Sequence, residues 1–192
     1  MSDDGFHVHG PHDHELEHAS EHGKEDSFSG RIAVLTAVLA TVGAIFSYQG
    51  GATQADAGIY KNNAAIKKTE AANQWNYYQS KGNKQNLAEL AQMLVPAEKQ
   101  DTYKKEAERY KREKDVIKVE ADKLEAQSRE WDDKSEAKMH VHHRWAQATT
   151  ALQISIAMAA ISLLTRRKWL QWTTVGVAGV GIVLGVSAAM LH

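Results

Sequence analysis

Residues 103–135 read YKKEAERYKREKDVIKVEADKLEAQSREWDDKS. Tyr103, Ala107, Tyr110, Lys114, Ile117, Ala121, Leu124, Ser128, Trp131 and Ser135 follow one another at alternating spacings of four and three, the pattern of a long helix with one seam face. The seam combines small residues (Ala107, Ala121, Ser128, Ser135) with large ones (Tyr103, Tyr110, Ile117, Leu124, Trp131), as closely packed antiparallel helices require. The other positions are dense in Lys, Arg, Asp and Glu, so this helix belongs in water.

Working upstream, Pro96 disfavours helical geometry at Val95 and suits the first turn of a following helix, which predicts a chain reversal there. Each arm is then roughly 43–48 residues, about 65–70 Å long. A kinked continuous rod would hold the flanking apolar segments about 130 Å apart, whereas a hairpin returns both to one bilayer.

The first arm carries two stripes. One runs without a slip through Ala52, Ala55, Ile59, Asn62, Ile66, Thr69, Asn73, Asn76, Ser80, Asn83, Leu87, Leu90 and Leu94, and reads as a seam whose asparagines sacrifice stability for register. The second, Tyr60, Ala64, Ala71, Trp75, Tyr78 and Gly82, lies on another face. Two stripes imply two partners, the returning helix and a neighbouring protomer. On the second stripe, Trp75 and Tyr78, with adjacent Tyr77 and Gln79, form the candidate interaction cluster. Beyond Trp131 the seam becomes Ser135, Lys138 and His142, so the membrane-proximal end is expected to be the loosest.

On either side lie apolar runs. Ile32 to Tyr48 is uncharged, and with Gln49 to Ala52 it reaches the length of a bilayer span. A cleaved signal peptide is the rival reading, disfavoured by the long acidic stretch before it and by the length of the apolar run. Residues 145–165 and 169–191 are two further spans, linked through Arg166, Arg167, Lys168 and Trp169, and so short a link predicts a membrane hairpin. Small residues at Ala33, Ala37, Ala40, Thr41 and Ala44, at Ala151, Ser155 and Ala159, and at Gly181, Gly185 and Ala189 predict close helix contact. The fold class expected is therefore all-α membrane protein: a tail (1–30), a first transmembrane helix (31–51), a long antiparallel coiled-coil hairpin (52–144, turn near Pro96), and transmembrane helices at 145–165 and 169–191.

The formal net charge is −1, and there is no cysteine, which excludes disulfides, thiolate nucleophiles and Cys-based metal sites. Residues 1–30 hold eight Asp or Glu against one Lys, whereas residues 49–144 interleave eighteen Lys or Arg with sixteen Asp or Glu. A nucleic-acid groove needs a concentrated basic face, so nucleic acid is not an expected partner. The tail also holds six of the ten histidines and few large apolar residues, a composition expected to be disordered. His7, His9, His12 and His14 are its candidate ligands for zinc, nickel or copper. A flexible solubilising tail is favoured over a metal site, since no spacing fixes a rigid one. His140, His142 and His143 precede Trp145, a cluster better read as a headgroup anchor than as a closed metal site, which needs four ligands.

The Arg166-Arg167-Lys168 link is the strongest topological signal. Short loops rich in Lys and Arg stay cytoplasmic, which puts the N-terminus inside and the hairpin outside. Lys134, Lys138 and Arg144 pull the other way.

Four stretches, residues 72–81 (ANQWNYYQSK), Arg109-Tyr110 to Glu113-Lys114, His142-His143-Arg144-Trp145, and residues 163–170 (LLTRRKWL), resemble the bacterial family known as domain of unknown function 4337. The resemblance covers nearly the whole chain except the histidine-rich tail. It implies a bacterial inner-membrane protein with three spans, and brings no established activity with it.

No constellation supports chemistry: there is no Ser–His–carboxylate set, no glycine loop before a helix and no ionisable pair on a rigid apolar wall. The chain reads as non-enzymatic, a structural or interaction scaffold that sits in the lipid bilayer and oligomerises with copies of itself, with an envelope protein as a further partner. The alternatives are a metal- or pH-responsive sensor built on the histidines, and an accessory subunit of a transport assembly. Transport by the chain itself is disfavoured because neither of the last two spans holds an ionisable side chain.

Overall fold

The computed structural model describes residues 13–191, with side chains from Phe28 onward. It is all-helical over those residues, with three helices in the order α1 (Asp13–Leu94), α2 (Ala97–Thr165) and α3 (Lys168–Ala189). All three are long and apolar enough to cross a membrane. Helix α1 begins inside the stretch whose composition predicts disorder. Glu15, Leu16, Glu17 and Ala19 are good helix formers continuous with the apolar helix, so residues 13–30 extend an existing helix and need no new nucleus. Residues 1–12 lie outside the described residues.

The chain divides into two units, residues 1–50 with 143–192, and residues 51–142. In the second unit α1 and α2 run antiparallel. Ser135 Oγ donates to the Ala57 carbonyl at 2.8 Å, Ser128 Oγ to the Ala64 carbonyl at 2.9 Å, and Lys114 Nζ to Gln85 Oε1 at 3.3 Å, so partners fall in number on α2 as they rise on α1. The reversal occupies Val95 and Pro96, where Val95 N–H still bonds the Ala91 carbonyl and Lys99 N–H bonds the Pro96 carbonyl.

Every α2 seam position from Tyr103 to Ser135 is buried or half-buried. On α1 the face turned to α2 is that of the second stripe, and the asparagine-bearing stripe is exposed. From Ala55 to Leu94 each member of the asparagine-bearing stripe is exposed, while Thr53, Ala57, Tyr60, Ala64, Lys67, Ala71, Gln74, Tyr78, Lys81, Gln85, Ala88 and Gln92 are buried or half-buried. This inner row keeps the same three-four spacing. Its lysines and glutamines lay apolar stems along the seam and keep their heads at its edge, and its alanines let the backbones approach.

At the end of the hairpin remote from Pro96, Thr53, Ala57, Ser135 and Val141 are all buried, small residues closing the gap that few large ones would have filled.

In the first unit, Leu39, Leu152 and Ala178 form a core with one residue from each helix, packed round by Leu35, Val42, Phe46 and Ile156. The rest of the interior is small or hydroxylated, with Ala148, Ser155, Ser162, Thr174 and Ala188 at most 1% exposed, while Val34, Val38, Leu164, Val180 and Val183 face outward. Ser155 Oγ donates to the Thr174 carbonyl at 2.6 Å. Of the expected small-residue ridges, Ser155, Ala159, Gly181 and Gly185 are buried and Ala151 half-buried, whereas Ala33, Ala37, Ala40, Thr41, Ala44 and Ala189 face out. Instead α1 turns its larger side chains, Leu35, Leu39, Val42 and Phe46, into the core, with Phe46 lying against Gly185.

At the α2–α3 junction Arg166 adopts a left-handed conformation (φ 53°). It stands just past the end of α2, where its N–H bonds the Ser162 carbonyl at 2.9 Å. Glycine is the usual residue there; arginine keeps a cation beside the helix C-terminus instead.

A side chain at Gly185 would collide with the Phe46 ring, which itself meets the Trp145 ring at a tilt, centroids 5.2 Å apart. Gly176 has open space around it. Gly185→Leu is expected to lower the thermal midpoint in detergent, by overpacking of about 1–3 kcal/mol, and Gly176→Leu to leave it within a degree or two, about the scatter of an exposed substitution.

Candidate functional site: the faces of the hairpin

The hairpin's midsection is built from aromatic rings and long cations. Trp75 Nε1 donates to Glu125 Oε1 at 2.8 Å and Trp75 meets Tyr78 edge to face at 5.6 Å. Lys114 Nζ lies 4.9 Å from the Tyr78 ring centre, a cation–π contact across the seam. One turn on, Lys81 pairs with Glu113 at 2.5 Å, its side chain only 14% exposed, and lies 5.2 Å from the Tyr77 ring and 5.5 Å from that of Tyr110. Tyr60 stacks on Trp131 at 5.6 Å. These groups lock the register through direction and charge, where alanine offers only close approach.

The candidate interaction residues therefore divide. Trp75 and Tyr78 are half-buried against α2, whereas Tyr77 and Gln79 are exposed. Between the helices, above Ala64 and Ala71, lies an open groove of about 550 Å³ edged by Lys61, Lys68, Glu125 and Arg129. Lys61 pairs with Asp132 at 2.5 Å and Arg129 lies near Glu125 at 3.7 Å.

Trp145, expected as a headgroup anchor, is 4% exposed and packs inward on Phe46; the exposed tryptophans are Trp169 and Trp172. His140 and His143 are exposed and His142 half-buried. Among the described residues no group of three or more His, Asp or Glu gathers round one point. The tail ligands His7, His9 and His12 lie outside the described residues, as does the side chain of His14.

With the geometry in place, comparison with known proteins finds a match to the family described as Domain of unknown function (DUF4337), over residues 28–191. The chain belongs to this family. No match is found among curated proteins or solved structures. The DUF4337 match takes in both units of the structure and stops short of residues 1–27, leaving out His7, His9, His12, His14, His18 and His22.

The serine hydroxyls docked on α1 and the Lys81–Glu113 pair were missed as site residues by the sequence reading. Alanines at 57, 64 and 71, seven apart, were the available signal for the serines. Glu113 is held below its ordinary value of 4.5 by the Lys81 hydrogen bond, and Lys81 is raised by the same contact. A depressed carboxylate contributes stability above its unfolded value and loses it as pH falls through the folded one. The raised lysine contributes below 10.5 and loses only in strong base. The melting difference between wild type and Glu113→Gln, measured by circular dichroism, is therefore expected at pH 7 and should close below about pH 4.5. A difference independent of pH would show that Glu113 acts by packing alone.

Proposed function

We propose that this protein is a non-enzymatic integral membrane protein of the bacterial inner membrane, a structural or interaction scaffold that oligomerises through a coiled-coil hairpin. One observation carries the reading: the hairpin consumes only one of the two stripes of α1, leaving the other, uncharged and with Ile59, Ile66, Leu87, Leu90 and Leu94, exposed. Large apolar side chains in a regular row on a charged helix are the mark of an interaction face.

Membrane embedding is supported by the inverted build of the other unit, with small and hydroxylated residues inside and Val, Ile and Leu outside, which suits helices packed in lipid. The expected mass of the full chain in mild detergent is a multiple of 21.3 kDa, and removal of residues 1–27 should leave the subunit number unchanged. A monomeric mass sinks the scaffold reading, and a tail-dependent assembly would move the function to the histidines.

The basic residues Arg166, Arg167 and Lys168 favour a cytoplasmic α2–α3 junction, with the hairpin on the opposite side. A reporter inserted beside Pro96 that is active only outside the cytoplasm should be active; activity of a cytoplasm-dependent reporter there reverses the orientation.

A further inference from the structure

Helix α1 carries its exposed stripe almost opposite its seam. Each outer residue follows an inner one by two positions (Ala57 and Ile59, Ala64 and Ile66, Ala71 and Asn73), about 200° round the helix. A second helix can therefore lie along α1 without displacing α2. From Ala55 to Leu94 the outer row holds no charged residue, although the same segment contains Asp56, Lys61, Lys67, Lys68, Glu70, Lys81, Lys84 and Glu89. No charge interrupts this line over its whole length.

We propose that the occupant of this stripe is the same stripe of a second copy of the chain, parallel and in register, so that α1 helices form the axis of the assembly. This deepens the scaffold reading and rests on it. The order of residues supplies the argument. In-register parallel pairing sets Ile on Ile at 59 and 66, Asn on Asn at 62, 73, 76 and 83, and Leu on Leu at 87, 90 and 94. Asparagine at seam positions pairs best with itself, completing amide-to-amide hydrogen bonds that an apolar partner leaves unmade.

Antiparallel pairing fails this match. If the polar middles are superimposed, Asn62 falls opposite Leu87 or Leu94, which buries an amide against a hydrocarbon at each end.

The flanks agree. The residues bordering the stripe on one side are Gly58, Ala65, Ala72, Gln79, Asn86 and Met93, all uncharged. In a parallel pair these oppose the other flank, Asp56, Asn63, Glu70, Tyr77, Lys84 and Ala91, so no like charges meet. In sequence, the same spacing runs back through Tyr48, Ile45, Thr41, Val38 and Val34, each exposed in its own unit.

The chain has no cysteine of its own, so single-cysteine variants of the full-length protein report one position each. Ile66→Cys and Leu90→Cys, oxidised in native membranes, are each expected to give a covalent dimer on a non-reducing gel, since paired seam Cα atoms lie within disulfide range, about 4.4–6.8 Å. Val119→Cys, more exposed than either but on α2, is expected to give none. Both stripe positions are exposed in the single chain, so substitution there does not disturb its fold, which the mass in detergent verifies. An oligomeric mass with no dimer from either stripe variant overturns the parallel axis and leaves the scaffold reading standing. A dimer formed only when the two variants are mixed shows antiparallel pairing and overturns it likewise. A monomeric mass removes both.

Discussion

Two serine hydroxyls on α2 reach backbone carbonyls of α1, and that reach is possible only where the helices nearly touch. Ser128 and Ser135 lie seven residues apart and land on Ala64 and Ala57, also seven apart. Any side chain larger than alanine there would hold the backbones apart and leave both hydroxyls without these partners. By continuing the same step, the register sets Ala121 level with Ala71, both buried, and brings Lys114 to the Tyr78 ring. The close approach explains how a seam with few large apolar residues still shields its interior. It also explains the aromatic and ionic contacts of the midsection, which tie the helices together where the small residues of the inner row give way to Tyr78, Lys81 and Gln85.

The three-helix unit uses a related device for a different reason. Ser155 Oγ bonds the carbonyl of Thr174 across α2 and α3, and Gly181 and Gly185 admit Leu152 and Phe46 against their backbones. In water a helical unit hides its large apolar side chains. Here Val34, Val38, Leu164 and Val183 are outside, and the interior is closed by van der Waals fit and an interhelical hydrogen bond, a build compatible with helices packed in lipid.

Much of this was legible in the sequence. The α2 seam could be read residue by residue because its face is marked by Ile117, Leu124 and Trp131, and Pro96 marks the reversal because proline constrains its neighbour. The α1 seam was not legible for a definite reason: lysine and glutamine at 67, 74, 81 and 85 look like a solvated surface, yet their stems line the interface and Lys81 finds Glu113. Leucine and isoleucine at 59, 66, 87 and 90 look like an interior and face outward. Trp145 misled in the same way, since an indole beside His143 and Arg144 matches a headgroup anchor until Phe46 is seen to cover it.

The two stripes of α1 share one period, and this matters more than either alone. A straight α-helix drifts by about 20° per heptad against a strict seven-residue repeat, so over the six heptads from Ala52 to Leu94 an uncurled helix would rotate each stripe by about a third of a turn. Keeping both faces in line demands the same left-handed curl from α1, whichever neighbour it answers. Packing on α2 therefore prepares the opposite face for a partner of equal curvature, and a second copy of α1 meets that condition by construction. The polar run Asn73, Asn76, Ser80 and Asn83 then limits what else can dock: a smooth apolar helix would bury these amides without partners, at a cost of about 1–3 kcal/mol for each group left unsatisfied. A face apolar throughout would bind more tightly and choose less.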